Sequence, residues 1–228
     1  MIIYSNNIYL EDKKISGFIK VENTKITDII EVDKEITETS LDEYVINNLT
    51  IDKNEEILNY SNLNIIPGFI DNHIHGWGTG SFWFEKSKES IQEMQKHLPK
   101  EGVTSFLATT GADTEEEIFK QIDEANEIYE SEQVGAEVIG LHLEGPFINK
   151  EYKGMQKEEN CILPNIDLMK EFYNRQKSKD LIKLMTMAPE LEGAKEVAEF
   201  CKDKGIQLSI GHTASTFDKI KEMKDYGF

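Results

Sequence analysis

The chain has little cysteine, no long apolar run and no surplus of basic charge. Two cysteines in 228 residues, Cys161 and Cys201, make no disulfide framework. Reduced thiols in a cytoplasmic protein are the expected state. No apolar stretch approaches the roughly 18 residues that a spanning helix needs. Met1-Ile2-Ile3-Tyr4 has neither the basic start nor the apolar core of a secretion signal. Lys and Arg number 25 against 43 Asp and Glu, a net charge of -18. That balance argues against nucleic acid and against a membrane surface as partners, because both select basic faces. It does not exclude a small anionic substrate, since a local pocket can oppose the global charge. Low-complexity tracts and Pro/Gly/Ser linkers are also missing.

What is present is a soluble globular composition, 39% hydrophobic and 30% charged. Its length suits one sizeable domain, or a small one beside a larger one. Residues 1–65 read as a small β-domain, with strands expected over Ile2 to Leu10, Ile15 to Val21 and Lys25 to Ile30 between turn residues. Asp33 to Tyr60 is polar and unassigned. From residue 66 the pattern changes. Apolar runs at Ile66 to Asp71, Thr104 to Thr109, Glu137 to Leu143, Leu181 to Met187 and Gln207 to Ile210 alternate with helical stretches. The helices are expected over Ser87 to Lys100, Thr114 to Tyr129, Ile166 to Lys177, Gly193 to Lys204 and Thr216 to Asp225. Thr114 and Glu117 have capping-box spacing, and the acidic run Glu115-Glu116-Glu117 complements a helix dipole. Near-continuous apolar strands alternating with helices predict a parallel sheet covered on both faces. Five such βα units are visible, and an eight-unit barrel needs three more.

The chemistry-bearing residues gather at the ends of those strands. His73 and His75 follow the first; residues two apart in extended chain face one side, so two imidazoles could converge on one metal. Alone, such a pair is as well read as two loop histidines in ordinary hydrogen bonds. His142 and Glu144 repeat the spacing on the third strand, where Glu144 ends an apolar run and needs a compensating charge or metal. A salt-bridged strand-end Glu is the plainer reading. Gly145-Pro146 makes a sharp exit. His212 ends the fifth strand, with Thr213 or Ser215 expected to cap the next helix. Three strand ends bearing His or Glu carry more weight than any one of them, because sites of such barrels form at that face. Nitrogen and carboxylate ligands suit zinc or iron as the divalent metal, and three protein ligands with an open position suit catalysis. His97, Asp113, Cys161 and Cys201 read as surface, helix-entry or inert residues. Trp77, Phe82, Trp83 and Phe84 read as packing under a loop.

These stretches together resemble the N-acetylglucosamine-6-phosphate deacetylases of the amidohydrolase superfamily. The likeness lies in Pro67-Gly68-Phe69-Ile70-Asp71-Asn72-His73-Ile74-His75-Gly76, in Gly102 to Thr110, in Gly140-Leu141-His142-Leu143-Glu144-Gly145-Pro146-Phe147, in Lys153-Gly154-Met155-Gln156, in Met187-Ala188-Pro189-Glu190 and in Ser209-Ile210-Gly211-His212-Thr213. The first is common to many amidohydrolases; the His-Leu-Glu-Gly-Pro, Ala-Pro-Glu and Gly-His-Thr blocks are more specific. The resemblance implies an α/β fold: the first five βα units of a (β/α)8 TIM-type barrel over 66–228, preceded at 1–65 by part of a small β-sandwich. It implies hydrolysis of the acetamido group of N-acetylglucosamine 6-phosphate to glucosamine 6-phosphate and acetate, with one or two metal ions. Glu144 and His212 would be metal ligands, and His73 and His75 would hold a second ion where both are kept. Met155 and Gln156 fall where the family meets the sugar; some members carry His where this chain has Gln156. A third ligand histidine on the sixth strand and the general-base aspartate after the eighth would lie beyond Phe228. The 228 residues alone would then be an incomplete site with open sheet edges, and the full-length protein a homodimer.

Lys183 lies near the start of its strand, away from the active face. Glu144 is thus the better bridging group, against dihydroorotase-like or hydantoinase-like readings. The alternatives are another amidohydrolase-superfamily deacetylase or deaminase, and a non-catalytic half barrel that binds metal or sugar phosphate.

Overall fold

A computed structural model of the protein describes residues 1–33, 36, 41, 44, 45 and 55–228. Most of the unassigned stretch from Asp33 to Tyr60 lies outside the described residues. The chain forms two compact units, Met1–Pro67 and Gly68–Phe228.

In the first unit, β1 (Ile2–Tyr9), β2 (Lys14–Glu22) and β3 (Lys25–Glu31) pair antiparallel in sequence order. The β2–β3 connection is the two-residue turn Asn23-Thr24, both at positive φ (49° and 66°). Turns of that hand match the twist of the flanking strands. Two short segments, β4 (Ile57–Asn59) and β5 (Asn64–Ile65), run parallel to the other edge of β1. A register shift between Ser5 and Ile8 reverses which side of β1 faces which core. Ile2 and Tyr4 therefore pack with Phe18 and Val32, while Ile8 packs with Ile15 and Ile19. The fully buried Tyr4 keeps a polar partner, since its hydroxyl accepts the Ile36 N–H at 2.8 Å.

The second unit is built on five parallel strands standing side by side in chain order. They are β6 (Phe69–Ile74), β9 (Val103–Thr109), β10 (Glu137–Glu144), β11 (Ile182–Met187) and β12 (Gln207–Ile210). A helix follows each: α1 (Lys88–His97), α2 (Glu115–Tyr129), α3 (Ile166–Arg175), α4 (Ala194–Asp203) and α5 (Phe217–Met223). A short hairpin, β7 (Gly76–Trp77) with β8 (Gly80–Ser81), sits between β6 and α1.

Local chemistry explains where the boundaries differ from expectation. The first barrel strand starts at Phe69 rather than Ile66, beyond Pro67, which has no N–H to give a ladder. After α1 the chain tightens into a 3-10 turn over Leu98–Glu101 that contains Pro99, and Gly102 at φ 81° ends it. The α2 cap is half of a capping box. Thr114 Oγ1 accepts the Glu117 N–H, but the Glu117 carboxylate turns away to Lys86 Nζ at 2.7 Å. The cap of α5 is Thr216, not Thr213 or Ser215, whose hydroxyls are used elsewhere.

The core of this unit lies between the sheet and its helices. Phe106, Ile118, Ile122, Leu141, Phe147, Met169, Phe172, Met185 and Val197 form one buried cluster. The edge strand β6 is different, with Phe69 and Ile70 exposed by 56% and 66%. Cys201 is buried in the core, and burial pushes its thiol up to about 12, so it is inert at neutral pH. Among the described residues no helix is long and apolar enough to cross a membrane.

Phe172 is fully buried, edge-on to Phe119 and stacked near Phe147. Phe172→Ala is expected to destabilise the second unit by about 3–5 kcal/mol. Urea unfolding followed by tryptophan fluorescence measures this, since Trp77 and Trp83 both lie in that unit. A loss below about 1 kcal/mol would contradict the packing described.

Candidate metal centre

The parallel register brings the strand ends level. Ile74 pairs with Ala108, His142 with Thr109, Glu144 with Thr186, and Met187 with Ile210. His73, His75, Glu144 and His212 therefore meet at one end of the sheet, although they are spread along the sequence. The Gly145–Pro146 peptide is cis and Gly145 has φ 80°, which turns the chain away directly after Glu144.

Glu144 is the hub. It is 5% exposed. Its Oε1 lies 3.1 Å from His73 Nε2 and 3.2 Å from His212 Nε2, and its Oε2 lies 3.2 Å from His75 Nε2. The ligand atoms of His73, His75 and Glu144 all lie within 4.8 Å of one another. Burial opposes ionisation of Glu144. With the surrounding imidazoles protonated, the hydrogen bond from His75, the charges of His73 and His75 and the bond from His212 outweigh it and hold the carboxyl down to about 2.

The protons on the imidazoles show what this cluster is suited to hold. His75 Nδ1 is 3.2 Å from the Thr109 carbonyl, and His212 Nδ1 is 2.8 Å from the Tyr152 carbonyl. A carbonyl only accepts, so both Nδ1 atoms carry hydrogen. In a neutral ring Nε2 is then a lone pair. Two lone pairs thus point at carboxylate oxygens, and His75 Nε2 also stands 3.2 Å from His73 Nε2. Acceptors facing acceptors at this distance repel unless a shared proton or a metal cation lies among them. The donor set of imidazole nitrogens and a carboxylate, with each Nδ1–H held by a carbonyl, fits a divalent metal.

His142, two residues before Glu144, does not join the cluster. Its Nε2 is 2.7 Å from Thr186 Oγ1, and its ring meets His73 edge-on with centroids 4.8 Å apart. Burial, and then the neighbouring His73, lower its pKa to about 4, so it supports His73 as a neutral ring at pH 7. Threonines tie the strand ends together: Thr109 Oγ1 accepts the Ile74 N–H at 2.9 Å, and Thr110 Oγ1 accepts the Glu144 N–H at 3.1 Å. Gln156 is 2% exposed; its Nε2 donates to Glu144 Oε2 at 2.7 Å and its Oε1 accepts the Ala112 N–H at 2.8 Å. Met155 next to it is 74% exposed. Trp83 is buried beside His75 with ring centroids 5.0 Å apart. Phe84, expected as packing, stacks on Trp83 but is itself 68% exposed.

Sequence reasoning assigned no role to Glu190, which follows β11. Its Oε1 accepts from Asn149 Nδ2 at 2.9 Å and from the Ala214 N–H at 2.7 Å. Its Oε2 accepts from Ser215 Oγ at 2.7 Å and from Thr213 Oγ1. Burial acts against ionisation here too, but the Thr213, Asn149, Ala214 and Ser215 bonds prevail and bring the carboxyl down to about 2. A carboxylate directly after a strand-ending Ala188-Pro189 was the available signal. The roles of Thr109 and Thr186 left none, because threonine is common in strands.

Two outcomes are expected. A divalent metal at 100 times its dissociation constant should stabilise the chain by about 2.7 kcal/mol, and Glu144→Ala should abolish the effect in thermal melts with and without Zn²⁺; equal melts for the wild type would remove the metal reading. The Glu190 carboxyl is lowered on folding, so its stabilisation is complete above the ordinary carboxyl pKa of about 4.3 and is lost as pH falls towards about 2. The stability gap between wild type and Glu190→Gln should be flat above about pH 5 and shrink below about pH 4. A gap that widens on acidification would be inconsistent with these hydrogen bonds.

Comparison with known proteins bears on the family and the fold. N-acetylglucosamine-6-phosphate deacetylase of Bacillus subtilis is 39% identical over 152 residues, covering 65% of this chain and 38% of that protein. The protein of the same name from Lysinibacillus sphaericus is 32% identical over 166 residues, covering 72% and 41%. The chain thus aligns with about two fifths of the length of these curated relatives. A crystal structure of N-acetylglucosamine-6-phosphate deacetylase from Pasteurella multocida superposes with a TM-score of 0.82 at 24% identity. That match covers all of this chain and 55% of the other, and it shows the five βα units as a partial barrel of that fold. A sequence model of the amidohydrolase family matches residues 64–226. This span takes in every strand of the parallel sheet and every residue of the cluster around Glu144, and the chain belongs to the amidohydrolase family.

Proposed function

We propose that these residues supply the metal-binding part of a deacetylase that hydrolyses the acetamido group of N-acetylglucosamine 6-phosphate, giving glucosamine 6-phosphate and acetate. The observation that carries the reading is Glu144 set among three imidazole Nε2 atoms at the strand ends. It sits inside a His-Leu-Glu-Gly-Pro block in a chain whose relatives bear that name.

His73, His75, Glu144 and His212 would hold the metal, zinc or iron, as one ion or two. A bound divalent cation supplies Lewis acidity, polarising an amide carbonyl and lowering the pKa of water from about 15.7 towards about 7. The rest follows from the chain itself. Glu144 stays ionised throughout the neutral range and so remains a ligand. The Thr109 and Tyr152 carbonyls keep the Nε2 lone pairs of His75 and His212 facing inward. Met155, exposed at 74%, is available to a sugar ring. Gln156 already spends its amide on Glu144 and Ala112, so contact with substrate requires it to change partner. Amide hydrolysis also needs a group that takes a proton from water and returns it to the leaving amine. None of the described residues is assigned that role. We place the reaction in the cytoplasm, where Cys161 and Cys201 stay reduced, and the whole enzyme in a homodimer.

Acetate release by the full-length gene product tests the reading, with N-acetylglucosamine 6-phosphate, its galactosamine isomer and unphosphorylated N-acetylglucosamine as substrates. The expected result is release that needs both divalent metal and the 6-phosphate, and that falls at least about 100-fold in Glu144→Ala. No acetate from any sugar phosphate with zinc, iron or manganese would overturn it. Thermal stabilisation by the sugar phosphate without turnover would put a binding role in its place.

A further inference from the structure

We infer that Glu190 is a positioning residue for the metal centre, setting the loop between β12 and α5 so that His212 faces Glu144. The inference rests on the metal reading above and adds a residue that no part of it requires. Glu190 touches none of the cluster atoms. Its two oxygens take four donors, all from other loops: Asn149 from the loop after β10, and Thr213, Ala214 and Ser215 from the loop after β12. Those last three directly follow His212.

His212 needs such support. Its backbone lies in the left-handed region at φ 52°, which a residue with a Cβ adopts only where its surroundings impose it. Three contacts surround it. Its carbonyl accepts the Asn149 N–H at 2.9 Å, its Nδ1 donates to the Tyr152 carbonyl at 2.8 Å, and its Nε2 stands 3.2 Å from Glu144. Asn149 serves both sides, with its N–H on His212 and its side-chain amide on Glu190. The contacts close a ring from Glu190 through Asn149 and His212 to Thr213 and back. Capping of α5 does not account for Glu190, because Thr216 Oγ1 already receives the Lys219 N–H. A glutamine at 190 would keep the shape but lose the charge and turn one acceptor into a donor, so that the Thr213 and Ser215 hydroxyls, which now donate to Oε2, must turn round to accept. Aspartate would keep the charge but fall one methylene short.

Cobalt(II) titration of the purified chain tests this, read by affinity and by the visible absorption band, at a temperature where circular dichroism shows every variant folded. Glu190→Gln is expected to weaken Co²⁺ binding by about 10-fold or more and to change the visible band. Glu190→Asp should recover part of the affinity. Thr213→Val should cost less, and add little on top of Glu190→Gln, because both act through the same contact. If Glu190→Gln does not fold, Thr213→Val combined with Ser215→Ala carries the test by removing two of the four donors, with the same weakening expected. Unchanged affinity and band, with only a lower melting temperature, would overturn the inference and leave Glu190 as a structural brace. Failure of the metal reading looks different: the wild type and Glu144→Ala would then bind Co²⁺ equally or not at all.

Discussion

The second unit is organised around one buried charge. Taking a carboxylate such as Glu144 out of water costs several kcal/mol unless its surroundings replace the lost hydration. Here they do so from every side. Its backbone N–H is held by Thr110, one oxygen takes the Gln156 amide, and three imidazole nitrogens stand within 3.2 Å of the two oxygens, where a shared proton or cation offsets the charge. The strand register, the Gly145 turn and the tautomers of His75 and His212 are all consistent with that requirement. A parallel sheet meets it economically, because every strand ends at the same face and can deliver one group to a shared point.

The support around the clustered histidines has a recurring form. Each imidazole is steered by a group from another strand or loop: His75 by the Thr109 carbonyl, His212 by the Tyr152 carbonyl, His73 by the edge of His142. A metal-ligand set is only as ordered as these outer contacts. In this chain two of the three are backbone carbonyls.

Much of this was legible in the sequence, for local reasons. Apolar runs alternating with amphipathic stretches marked all five strands of the parallel sheet, since burial on both faces demands continuous hydrophobicity. Glu144 stood out because a carboxylate ending an apolar run is costly to bury without a partner, and His73, His75 and His212 because they share the strand-end position. The misreadings were also local. Thr213 and Ser215 have the right chemistry for a helix cap, but Glu190 competes for both hydroxyls and the cap passes to Thr216. Glu117 has the right spacing for a capping box, but Lys86, 31 residues away, takes its carboxylate.

The sequence by itself determined the type of fold and the candidate ligand types, because hydrophobic period and side-chain chemistry are properties of short segments, and its motif blocks carried the resemblance to the family. Tertiary structure alone decided how the candidate ligands are held. Glu190 meets Thr213 across 23 residues, Tyr152 meets His212 across 60, and His73 meets Glu144 only because β6 and β10 flank β9. Hydrogen-bond partners are chosen by distance in space, and no pattern within one segment carries that distance.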